Sequence, residues 1–133
     1  MGRINRKKIG NVEKFNNKCL VEFVRKSPKP APFDILLAYA VVSEGTGKKR
    51  DKGFPYFSEN EKLEIQSELV VKACEDLPKL KKFLEESING KIIASVTNFC
   101  DFLRDIEIYL DTNSENDDDL YRVIDELKEK LKA

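Results

Sequence analysis

The chain has 133 residues, 41% hydrophobic and 36% charged, with 24 Lys or Arg balanced by 24 Asp or Glu and no histidine. That apolar share suffices for one core and excludes global disorder. No run of 18 apolar residues offers a membrane span. The start MGRINRKKIG is basic but leads into no apolar stretch, so it does not read as a secretory signal. Gly2 invites N-myristoylation, but position 6 is Arg6 where that motif requires Ser or Thr.

Zero net charge hides a polarity. Residues 1–56 hold 13 cations against 5 anions, and residues 57–133 hold 11 against 19. Such a split acts on association and leaves the fold alone. Cys19, Cys74 and Cys100 are odd in number, far apart and set among apolar neighbours. They read as small buried hydrophobes of a reducing, cytoplasmic protein, neither a disulfide frame nor a zinc site, which usually needs four ligands.

Residues 1–10 read as a flexible basic arm, with Arg3, Arg6, Lys7 and Lys8 and only Ile4 and Ile9 to pack. Residues 11–133 read as a single helical domain. Asn11 is placed to cap a first helix with apolar face Val12, Phe15, Cys19, Leu20, Phe23 and Val24. The local run CLVEFV is also compatible with a strand, and the longer spacing favours helix. Ser27 to Pro32, with prolines at alternate positions, is an extended connector; as an SH3-type ligand it is a poor match.

From Phe33 to Val42 the chain is apolar almost without interruption. Leu and Ala at its centre, and Pro32 at a first helical position, predict a buried helix stopped by Gly45. Residues 43–57, SEGTGKKRDKGFPYF, then form a long basic loop holding Lys48, Lys49, Arg50 and Lys52 beside Phe54 and Tyr56. Ser58-Glu59-Asn60-Glu61 has the form of a capping box. The helix it starts turns Leu63, Leu69, Val70, Ala73, Cys74 and Leu77 inward until Pro78 breaks or kinks it. A second piece presents Leu80, Phe83, Leu84 and Ile88 and ends at Asn89-Gly90.

Residues 91–111 predict the central helix. Ile92, Val96, Phe99, Leu103, Ile106 and Leu110 recur at steps of three and four. Ile93, Cys100, Phe102 and Tyr109 widen that stripe to roughly 200° of arc, twice what a surface helix needs. Thr97, Asp101, Arg104 and Asp105 form the polar back. After an acidic link, a last helix from about Asp118 to Lys132 carries Leu120, Val123, Ile124, Leu127 and Leu131 on one side, with Asp first and Lys last as the macrodipole prefers. The fold class is therefore all-α, a compact bundle of five to six helices around helix 91–111, with a basic loop at 43–57.

Catalytic patterns fail on inspection. Gly45-Thr46-Gly47-Lys48-Lys49 has Val42 and Lys49 where a phosphate-binding loop needs Gly and Ser or Thr. Residues 111–122 have Asn116 and Arg122 where a calcium loop needs Gly and Glu. Without histidine the three thiols lack their usual base, and the adjacent carboxylates Glu85-Glu86 and Asp117-Asp118-Asp119 suit a solvated surface. No enzyme activity, cofactor or metal is expected.

What remains is the basic half. Arg3, Arg6, Lys7, Lys8, Lys48, Lys49, Arg50 and Lys52, with Phe54 and Tyr56 to stack, are the types that hold phosphates and bases. They predict a non-enzymatic subunit touching the backbone of RNA or DNA inside a larger nucleoprotein complex. The alternative is a protein-interaction or assembly module, meeting an acidic surface or a second copy through its complementary ends. A helix-turn-helix regulator stands behind both, because Ser58 to Asn89 and Lys91 to Asp111 show few Arg, Asn or Gln on an outer face.

Overall fold

A computed structural model describes residues 19–44, 57–90, 94–115 and 117–132. It is all-helical, with no strand among the described residues. Helix α1 is described over residues 19–26, and is followed by α2 (Pro32–Glu44), α3 (Glu59–Cys74), α4 (Leu77–Asn89), α5 (Val96–Thr112) and α6 (Asp118–Lys132).

Local chemistry sets most of these ends. Pro32 opens α2, where its missing N–H costs nothing. At α3 the capping box forms in full. Ser58 Oγ accepts from the Glu61 N–H at 3.1 Å and Glu61 Oε1 accepts from the Ser58 N–H at 3.0 Å. Pro78 does not kink that helix. It occupies the first turn of α4, and the break falls two residues earlier at Asp76, whose carboxylate accepts from the Lys79 N–H at 3.2 Å. Asp117 accepts from the Leu120 N–H at 3.0 Å and starts α6 in the same way.

The buried residues of all six helices form one cluster. α2 packs on α3, α4 and α5, while α5 packs on α2, α3 and α6; α4 and α6 form the other extensive pair. α2 and α5 run antiparallel, joined by Tyr39 to Asp105 at one level and Glu44 to Asn98 at the next. Between them the Tyr39 and Phe102 rings meet edge-on, with centroids 5.2 Å apart. Leu120, Val123, Ile124, Leu127 and Leu131 of α6 are all buried, as their spacing requires.

Four expectations are corrected. The helix predicted over 91–111 starts at Val96, where Ser95 Oγ accepts from the Asn98 N–H at 3.1 Å; Ser95 thus interrupts the apolar stripe, Val96 is 48% exposed, and Ile92 and Ile93 lie outside the described residues. On α1 the buried face is Val21 and Val24 with half-buried Leu20, and Cys19 and Phe23 point the other way, exposed. That roll buries Val21 and Val24 and lets Arg25 grip Glu68 of α3 through two hydrogen bonds of 2.7 and 2.9 Å, while Lys72 donates to the Ser27 carbonyl at 2.8 Å. Cys19 is therefore no buried hydrophobe, whereas Cys74 is buried and Cys100 half-buried. Leu63, expected inward, is 59% exposed, and Ile65 and Gln66 take its place in the interior. Finally, Ser43 and Glu44 of the expected loop 43–57 belong to α2, half-buried Phe57 packs on the core, and 45–56 lie outside the described residues.

Candidate functional site

The ten residues singled out from the sequence, Arg3, Arg6, Lys7, Lys8, Lys48, Lys49, Arg50, Lys52, Phe54 and Tyr56, all lie outside the described residues. What the folded helices display instead is a groove between α3 and α5. Leu63, Gln66, Ser67 and Val70 form its α3 wall, one stripe at helical spacing. Asp105, Ile108, Tyr109 and Thr112 form the α5 wall, and Asn113 closes the end. Its volume of about 330 Å³ is at the small end for ligand pockets. The groove is also open along its length, which suits side chains laid into it better than a swallowed small molecule.

Two large aliphatics stand exposed on the walls, among the exposed polar side chains of Ser67, Thr112 and Asn113. Leu63 is 59% and Ile108 55% exposed. Single exposed aliphatics are ordinary, but two on the facing walls of one groove make a patch. The polar groups beneath are already engaged. Gln66 Nε2 donates to Ser43 Oγ at 2.9 Å, and that hydroxyl donates to the Tyr39 carbonyl at 2.9 Å. Tyr39 donates its hydroxyl to Asp105 Oδ2 at 2.6 Å; burial first, then this bond, pushes the phenol well above its ordinary pKa. The other Asp105 oxygen lies 3.9 Å from Arg104 Nε, and Arg104 also stands 3.4 Å from Asp101. Two carboxylates thus share one guanidinium at the groove's edge.

Elsewhere the candidate chemistry resolves into structural work. Burial, then Glu115, pushes the Cys74 thiol up to about 12, which leaves it protonated and inert near neutral pH. In the former calcium-loop candidate, Asp111 accepts from the Tyr121 hydroxyl at 2.6 Å, Asn113 Nδ2 donates to the Tyr109 carbonyl at 2.8 Å, and Asp117 caps α6. Asp119 is held below the usual carboxylate range by its hydrogen bond from Arg122 and by the charge of Lys81. Among the described residues no three Cys, Asp or Glu converge to hold a metal ion, and no helix is long and apolar enough to cross a membrane.

Sequence reasoning passed over Ile108 and misassigned Leu63. Ile108 carried a signal: at helical spacing it falls in the middle of the polar back of Thr97, Asp101, Arg104 and Asp105, a large aliphatic on a face otherwise built for solvent. Comparison with protein-family models, with curated proteins and with solved structures finds no match to this chain.

Proposed function

We propose that the chain is a non-enzymatic protein-interaction module that docks a segment of a partner in the α3/α5 groove. The observation that carries this reading is the pair Leu63 and Ile108, exposed on opposite walls of one groove in which Gln66 and Asp105 are already tied to Ser43 and Tyr39. Free thiols at Cys19, Cys74 and Cys100 suit a cytoplasmic setting. A photo-crosslinking side chain at Ser67, inside the groove, should trap one partner protein in the source cell. The same probe at Glu86 on α4 should not, and Ile108→Lys should abolish the product. Equal trapping at both positions, insensitive to Ile108→Lys, removes the reading.

A second reading, contact with the nucleic-acid backbone within a nucleoprotein assembly, is favoured by where the positive charge lies. Residues 1–18 hold six cations against one carboxylate and residues 45–56 four against one, while residues 19–44 hold three of each. Arg3, Arg6, Lys7, Lys8, Lys48, Lys49, Arg50 and Lys52 would hold phosphates, with Phe54 and Tyr56 stacking on bases. In this reading the helices group around α5 and the basic stretch between α2 and α3 serves as a contact loop. Engagement of about four to six phosphates gives log affinity a slope of around −4 to −5 against log salt. Replacing Lys48, Lys49 and Arg50 by Glu should flatten that slope by about 3. Salt-insensitive binding, or none at low salt, overturns this second reading.

A further inference from the structure

We propose that the occupant of the α3/α5 groove is a basic amphipathic helix of a partner protein, two turns of which lie along both walls. Its two aliphatic side chains seat between Leu63 and Ile108, and a Lys or Arg reaches Asp105. This rests on the docking reading above and adds the shape and charge of what docks.

The length follows from the walls. Leu63 to Val70 and Asp105 to Thr112 are each seven residue steps, about 10 Å at a helical rise of 1.5 Å per residue. That accommodates two turns, hence two apolar anchors at i and i+4. A helix is favoured over an extended segment because both walls are helices and offer no strand edge to pair with. An extended backbone would lie in the groove with its N–H and C=O groups unanswered, whereas a helix satisfies its own.

The charge follows from the helices that carry the walls. Glu59, Glu61, Glu64 and Glu68 of α3 face two lysines, and Asp101, Asp105, Glu107 and Asp111 of α5 face only Arg104. Most of these are occupied away from the groove: Glu59 by Lys62, Glu61 by the Ser58 N–H, Glu68 by Arg25, Glu107 by Lys128 and Asp111 by Tyr121. Asp105, on the groove wall, shares Arg104 with Asp101 one turn before it, and the nearer Asp105 oxygen is beyond hydrogen-bonding distance from that guanidinium. A partner cation completes that cluster. A second copy placed symmetrically on the groove would instead set acidic helices against acidic helices, which charge opposes.

The test uses the full chain and three labelled Ala-based helical peptides with one Leu pair at i, i+4, flanked by Lys, by Gln or by Glu. Binding is followed by fluorescence anisotropy. The Lys peptide should bind at least about tenfold more tightly than the Glu peptide, and the preference should shrink as salt rises. Asp105→Asn, which keeps an acceptor for Tyr39, should weaken the Lys peptide several-fold and leave the Gln peptide unchanged. Asp101→Asn should act in the same direction should Asp105→Asn disturb the fold. Ile108→Lys should abolish binding of both. If all three peptides bind alike and Ile108→Lys releases them, the basic occupant is overturned and the docking reading stands. If none binds while the Ser67 crosslink persists, the inference again falls alone. If neither is seen, both fall. Self-association by sedimentation that Ile108→Lys abolishes would identify a second copy as the occupant and overturn the proposal.

Discussion

Ser114 is the one non-glycine residue with a positive φ, 57°, among those described. It sits just past α5, where the Glu115 N–H donates to the Leu110 carbonyl at 3.0 Å and the Ser114 N–H to the Asp111 carbonyl at 3.2 Å. That pair of bonds is a Schellman termination, a position that favours glycine because a Cβ is crowded in the left-handed region. Ser114→Gly relieves the crowding and returns a few tenths of a kcal/mol to the unfolded chain's entropy. The expected net is a gain of about 0.5–1 kcal/mol, read as a rise in Tm of about 2–4 °C. An unchanged or lower Tm would mean that the serine is unstrained there. The same residue explains why the end of α5 is hard to read: no glycine follows Gly90 in the chain. Periodicity alone ends the helix near Asp111, whereas it ends at Thr112.

Among the elements, helices that announce themselves by local chemistry were legible and those set by distant partners were not. Ser58 and Glu61 give the start of α3, and the Asp-first, Lys-last pattern gives α6, because both act within one turn. The roll of α1 escapes such reading because it is settled against distant partners, the core that buries Val21 and Val24 and Glu68, 43 positions from Arg25. The end of α4 is another long-range construction. Lys130 of α6 donates to the carbonyls of Ser87, Ile88 and Gly90 at 3.0, 2.7 and 2.7 Å, satisfying acceptors that a helix terminus leaves open. Lys130→Met should cost about 1–2 kcal/mol in urea unfolding. Lys132→Met, two residues on and exposed, should stay within about 0.5 kcal/mol of the parent. Equal losses would show that the charge of the last turn matters and the three carbonyls do not.

At the scale of the whole molecule, spacing along one helix says which residues share a face but not which face meets which. The groove could not be assembled from sequence for that reason: Leu63 and Ile108 are remote in the chain and line one groove only because α3 and α5 pack together. The same gap separates two phenylalanines that both read as core. Phe102 is fully buried against Tyr39, and Phe23 is 61% exposed on α1. Phe102→Ala should cost about 3–5 kcal/mol through lost transfer energy and the cavity left behind. That is a large part of the 5–15 kcal/mol that a domain usually holds. Phe23→Ala should cost no more than about 0.5 kcal/mol. Urea unfolding of both variants, with unchanged m-values as the check on the two-state assumption, tests the packing directly. A loss at Phe23 matching that at Phe102 would mean that α1 is rolled onto the face its apolar spacing suggests. In that arrangement Val21 would turn outward and the Arg25–Glu68 clamp would have to open.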